Sequence, residues 1–166
     1  MEIKLVPTEQ SDFALMLELL KQAALRLQRK GLDQWQNWLN PTEEDESWIQ
    51  DGFEKQEFFF IQNQENELIG TLRIMQRDLL YWGAQPERAF YIHSLTVLDD
   101  YSGLGIGQRV IDQVAGQAAQ AGCKWLRLDC NAGNPALCDY YEKQGFKQVG
   151  VRVFDDFSCN LYQRKV

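Results

Sequence analysis

Tyr101-Ser-Gly-Leu-Gly-Ile-Gly107 places three glycines within five positions, between an apolar strand-like stretch and a long helix-like one. Glycine weakens a helix interior and is kept there for backbone reasons. Where a strand hands over to a helix, such a cluster aims unpaired N–H groups at an anion, most naturally a phosphate. A P-loop is excluded, because Gln108-Arg109 stands where lysine and Ser/Thr belong. A dinucleotide fingerprint is excluded too, since it follows the first strand of a βαβ unit and this loop follows roughly the fourth. At this level two readings stand, a phosphate-bearing cofactor site and a tight turn.

Working outward, Ala89 to Leu98 predicts the strand before the loop, and a helix is expected from Gly103 through Ala121, ended by Gly122. Upstream, Glu2 to Val6 alternates like a strand. Leu15, Leu19, Leu20, Ala23 and Leu27 mark one helical face between Phe13 and Leu27. Thr42 caps a helix whose first turn is Glu43-Glu-Asp-Glu46, where acidic residues suit the dipole better than they suit a metal. Phe58 to Ile61 and Leu68 to Met75 form a hairpin pattern, followed by an ordered loop from Gln76 to Arg88. Downstream, Trp125 to Cys130 is a strand and Asn134 to Gly145 a helix. Phe146 to Phe154 and Cys159 to Arg164 read as paired strands. The order is β-α-α-β-β-β-α-β-α-β-β. It contains no repeat or linker, so a single domain over residues 1–166 is expected.

Bulk composition narrows the function. Hydrophobic residues make up 45% and charged residues 25%, ordinary values for a soluble fold. Seventeen basic against 24 acidic residues give a net charge of −7, which argues against a nucleic-acid surface and mildly favours a cationic small substrate. No uncharged apolar run approaches membrane-spanning length and no leader pattern is visible, so a cytoplasmic protein with no membrane partner is expected. Cys123, Cys130, Cys138 and Cys159 are irregularly spaced and read as reduced structural thiols. No metal is expected at the lone histidine, His93.

Two segments together resemble a known family. Ser102-Gly-Leu-Gly-Ile-Gly107 is similar to motif A of the GCN5-related N-acetyltransferase (GNAT) family, (Arg/Gln)-x-x-Gly-x-(Gly/Ala) after the fourth strand. Asn134-Pro-Ala-Leu-Cys-Asp-Tyr-Tyr-Glu-Lys-Gln-Gly-Phe146 resembles its motif B. Ser102 departs from the Arg/Gln position, which removes a side-chain contact but leaves the backbone nest; Arg109 is a candidate compensating cation. The resemblance implies an α/β fold, a mixed twisted sheet of about seven strands flanked by about four helices, with central strands splaying near the loop. It implies acetyl-CoA as acyl donor, held by Ser102, Gly103, Leu104, Gly105, Ile106, Gly107 and Gln108 at the pyrophosphate. Leu95, Thr96 and Val97 would pair with the pantetheine arm like an added strand, and Asn134 would contact the same arm.

Acetyl transfer to an amine needs a base for the amine, a donor to the oxyanion and a proton for the thiolate. Tyr141 matches the family tyrosine that often serves as general acid. His93 lies in His-Ser-Leu-Thr-Val, similar to the strand of arylalkylamine acetyltransferases in which a histidine assists deprotonation. Asp129 reads as structural, and no base supports a covalent route through Cys130 or Cys138. By family analogy Trp35, Trp38, Tyr81 and Trp82 wall the acceptor site, and Arg73 or Arg77 can meet a carboxylate. The expected activity is N-acetylation of a primary amine on a small molecule or peptide, by direct attack in a ternary complex. The alternatives are a non-catalytic acyl-CoA sensor and an antibiotic-modifying acetyltransferase. Surface aromatics also admit a homodimer.

Overall fold

The first helix forms where it is expected, but its buried face is turned from the expected one. Leu19, Leu20 and Ala23 are buried, Leu27 is half-buried, and Leu15 is exposed while Met16 and Ala24 are buried. A computed structural model describes residues 1–166 and places α1 at Phe13–Arg29, burying Met16, Leu19, Leu20, Ala23 and Ala24. Those positions recur at intervals of three and four and so share one face. β1 (Lys4–Pro7) precedes it, and α2 (Glu43–Glu54) follows. Thr42 starts α2 with a reciprocal cap: its Oγ1 accepts from the Asp45 N–H at 3.2 Å, while Asp45 Oδ2 accepts from the Thr42 N–H at 2.8 Å. The acidic run is therefore a helix start, as its composition implied.

Strands β2 (Phe58–Gln62), β3 (Leu68–Met75), β4 (Ala89–Val97), β5 (Trp125–Asn131), β6 (Lys147–Val153) and β7 (Ser158–Lys165) join β1 in one seven-stranded sheet ordered β1-β2-β3-β4-β5-β7-β6. β4 runs parallel to β5, from Ala89 opposite Trp125 to Ile92 opposite Leu128, whereas β5–β7 and β6–β7 are antiparallel. With α3 (Ile106–Gln120) and α4 (Pro135–Lys143), the sheet has four helices and is the mixed architecture expected. No helix is long and apolar enough to cross a membrane.

α3 corrects one expectation. It begins at Ile106 rather than Gly103, because Gly103 and Gly105 take φ of +76° and +72°, conformations that no right-handed helix accommodates.

The chain forms two compact units, Met1–Arg73 with Ser94–Gly107 and Ile74–His93 with Gln108–Val166. In the first, α1 and α2 bury Met16, Leu20, Ile49 and Phe53 with Phe58 and Phe60 of β2. Arg73 lies inside this unit with no exposed surface. Its Nε donates to Glu57 at 2.8 Å, Nη1 to the Trp48 carbonyl at 2.9 Å and Nη2 to Asp51 at 2.8 Å. The guanidinium also lies 4.3 Å from the Trp48 ring centre. In the second unit, Trp82 and Tyr91 pack edge to face at 5.9 Å, with Arg127 4.9 Å from the Trp82 ring and bonded to the Tyr91 hydroxyl at 3.0 Å.

Candidate active site

The glycine loop is built by dihedral angle, not by crowding. At Gly103 and Gly105 an added Cβ would meet nothing within 4 Å, so open space surrounds the left-handed turn. Ser102, Leu104 and Gln108 are exposed, and Ile106 is buried and anchors the start of α3. An exposed, left-handed run of backbone entering a helix is the shape that receives a phosphate. A pyrophosphate therefore fits the groups present.

Just before this loop, the end of β4 is held by a residue that sequence reasoning passed over. Arg26 of α1 donates from Nη1 to the Val97 carbonyl at 2.6 Å and from Nη2 to Thr96 Oγ1 at 3.3 Å, and its Nε lies 3.0 Å from Asp99. β3 approaches from the other side: a Cβ on Gly70 would stand 2.4 Å from the Thr96 carbonyl oxygen. Ser94, one residue beyond His93, has φ of +53°. Left-handed backbone is costly for serine and interrupts the regular alternation of β4. Leu95 and Val97 are half-buried and Thr96 is buried.

The second unit gathers a titratable cluster around His93. Its Nε2 lies 2.7 Å from Asp78 Oδ2, and its Nδ1 lies 3.5 Å from Asp129 Oδ1. Asp78 is buried, and its Oδ1 accepts from the Tyr81 backbone N–H at 3.1 Å. The Tyr81 ring rests against the imidazole at 5.1 Å and against Phe154 at 5.2 Å, and Phe154 stacks on Phe157 at 4.8 Å. Asp129 Oδ1 is buried with no hydrogen-bond partner. Burial pushes the Asp129 carboxyl above its ordinary range; His93 opposes that shift and Asp78 adds to it. Burial, followed by the charges of Asp129, Cys159 and Asp78, likewise raises the Tyr81 phenol and keeps it protonated.

Asp78, His93 and Asp129 present ligand atoms within 4.8 Å of one another, a donor set of the kind that holds a divalent cation. The 2.7 Å contact between Asp78 and His93 is hydrogen-bond spacing. Two atoms bound to one ion at about 2.1 Å each stand more than about 3 Å apart. As they stand, Asp78 and His93 are hydrogen-bonded to each other.

Tyr141 on α4 is buried, with its ring edge-on to Phe146 at 5.9 Å and to Tyr140 at 5.5 Å. Burial, then neighbouring Cys130 and Tyr140, pushes its pKa up, so the phenol remains a donor across the neutral range. Asn134 is the N-cap of α4, its side chain accepting from the Leu137 N–H at 3.2 Å. Cys130 and Cys138 lie with Sγ atoms 3.1 Å apart, and burial raises the Cys130 thiol well above the range of a reactive thiolate. All four cysteines are free and buried.

Of the residues expected at the acceptor, the fold brings Tyr81 and His93 together. Trp82 is buried against Tyr91 and Arg127, and Trp38 is buried in the core of the first unit with Trp35 packed against it. Arg73 faces Glu57 and Asp51 inside that unit, and no part of it reaches solvent. Asp78 was missed because nothing local marks it. It sits in a polar loop 15 residues from His93 and meets it only through the fold.

Comparison with known proteins bears on the family and the fold. The chain is 27% identical over 170 residues, spanning 96% of this chain and 88% of the relative, to YesJ of Bacillus subtilis strain 168, described as an uncharacterized N-acetyltransferase. A GNAT-family acetyltransferase from Listeria monocytogenes 4b F2365 superposes with a TM-score of 0.80 at 22% identity, over 100% of this chain and 96% of that one. The spermidine N-acetyltransferase of Vibrio cholerae, solved with CoA and spermine, gives a TM-score of 0.68 at 13% identity, over 98% of this chain and 95% of its own. Residues 18–146 match the acetyltransferase (GNAT) family. That match runs from within α1 through α2, the glycine loop and α4 to Phe146, and with the shared fold it shows that the chain belongs to the GNAT family of acetyltransferases.

Proposed function

We propose that the chain moves an acetyl group from acetyl-CoA to a primary amine of a small molecule or peptide, by direct attack within a ternary complex. The observation that carries this reading is the pair of left-handed glycines, Gly103 and Gly105, opening onto α3 in a chain of this family. The backbone of Ser102 to Gly107 holds the pyrophosphate, with Leu95 to Val97 and Asn134 along the pantetheine arm. Arg26 keeps the Val97 end of β4 in place for that pairing. Bound acetyl-CoA supplies the thioester carbonyl and the thiolate leaving group. His93 takes a proton from the amine, and Tyr141 gives one to the departing sulfur. Tyr81 and Phe154 supply an aromatic wall beside His93.

Calorimetric titration with acetyl-CoA, followed by thiol release over a panel of primary amines, tests the reading. Binding together with turnover on at least one amine supports it. Binding without turnover across the panel favours an acyl-CoA sensor, and absence of binding removes the coenzyme assignment. The loop has its own test. Gly105→Ala introduces no clash, so its cost is the left-handed backbone alone, about 1–2 kcal/mol. Acetyl-CoA affinity is expected to fall by about tenfold with the fold intact. An unchanged dissociation constant would take the loop out of the coenzyme site.

A further inference from the structure

The second unit keeps its exposed apolar surface at one edge. Leu79, Leu80, Val149, Val151, Val153 and Phe157 are the large apolar side chains it exposes, each between 42% and 68% open to solvent. The three valines belong to β6 and Phe157 to the turn that follows it. Arg152 of the same strand ties in the other two, its Nε donating to the Leu80 carbonyl at 3.0 Å. β6 is also the last strand of the sheet, with β7 on one side and no strand on the other. At the hairpin end the Phe154 N–H donates to the Phe157 carbonyl at 2.8 Å. Backbone groups alternate along an antiparallel strand, so those of Val153 and Val151 turn away from β7 towards the open edge. An apolar edge with outward ladder groups is a template for another strand.

Charge selects the occupant. Lys147 opens β6, and Asp155-Asp156 follow its end, so the edge is basic at one end and acidic at the other. A second copy running antiparallel brings each basic end to the other's acidic turn, and the same patch serves both molecules. The two-fold axis is then fixed by what stands opposite what. At Arg152 it would set two guanidinium groups face to face, which is unfavourable. At Gly150 it would set Lys147 against Val153, and at Val153 it would pair only the last residues of the strand. At Val151 it sets Val151 against its own copy, Arg152 against Gly150, which has no side chain to crowd it, and Lys147 towards Asp155. The register shift between Gln148 and Gly150 disturbs the start of the strand and leaves Gly150 to Val153 regular. We propose that the chain forms a homodimer in which β6 pairs antiparallel with β6 of a second copy, about a two-fold axis at Val151. The contact adjoins the aromatic wall described above, because Phe154, next to Val153, packs against Tyr81 at 5.2 Å.

Sedimentation of the wild-type chain is expected to give twice the chain mass of 19.3 kDa. Val151→Lys combined with Val153→Lys sets like charges across the axis on side chains that already face solvent, so the mass is expected to halve with the circular dichroism unchanged. Val151→Cys tests the register. Opposed residues of a hydrogen-bonded antiparallel pair have Cα atoms about 5.5 Å apart, within reach of a disulfide. Mild oxidation with diamide is therefore expected to give a reducible covalent dimer of Val151→Cys and none of the wild-type chain, whose four cysteines are buried. A wild-type mass of one chain overturns the proposal and leaves the edge to a strand of another protein. A dimer that survives both lysines places the interface elsewhere and overturns it too. A dimer in which Val151→Cys fails to cross-link overturns the axis at Val151.

Discussion

Tyr141→Phe is expected to lower kcat by about a hundredfold or more, with acetyl-CoA affinity unchanged. The substitution deletes one oxygen and keeps the ring that packs against Phe146 and Tyr140. The fold and the apolar contacts of α4 therefore survive, and what disappears is a proton donor. Burial is the largest cause raising the pKa of that phenol, with Cys130 and Tyr140 next. A group raised in this way carries its proton through the whole neutral range and is ready to donate without first being recharged. Single-turnover measurements separate the chemical step from coenzyme release. A Phe variant with parental kcat would strip Tyr141 of its acid role, and a variant that lost only affinity would make it a binding residue.

Arg73→Ala is expected to cost about 3–5 kcal/mol of stability, measured as the shift in urea or thermal unfolding. Removing the guanidinium strands Glu57, a largely buried carboxylate, and leaves the Trp48 carbonyl without its donor. It also opens a void beside the Trp48 and Phe58 rings. Asp51 takes less of the loss, since it is 45% exposed and keeps Lys55 at 2.9 Å. Burial tends to raise the Asp51 carboxyl, but hydrogen bonds from Lys55 and Arg73 outweigh it and hold the group below its ordinary range. A carboxylate lowered in the folded state stabilises above its unfolded pKa, and that stability is lost as pH falls through the folded value. The gap between variant and parent should accordingly narrow in acid. A loss below about 1 kcal/mol at neutral pH would show that solvent replaces the guanidinium at little cost.

Legibility in the sequence followed the range of the interaction. The hairpin of β2 and β3, the α2 cap at Thr42 and the α4 cap at Asn134 are settled by residues within a few positions of each other, and their boundaries were readable. The start of α3 was misplaced by three residues, because a glycine gives no sign of whether it enters a helix or turns left-handed in front of one. Arg73 has the spacing of a strand residue at the end of a hairpin, which suggested a substrate contact. Its partners come from α2 and the turn before β2, and no local pattern announces that they close over it. The site divides in the same way. His93 and Tyr141 stand out through motif and chemistry, whereas Asp78 and Arg26 act across 15 and 71 residues and appear only when the chain is folded.

Burial of Cys123, Cys130, Cys138 and Cys159 also determines how the chain answers a thiol-reactive dye. Attack on such a dye requires an accessible thiolate, which none of the four offers in the folded state. Coenzyme A released by turnover is then the only thiol the dye counts, and the folded protein adds no background. On denaturation the same dye consumes four further equivalents per chain. One colour change thus reports catalysis while the fold holds and its loss once the fold opens.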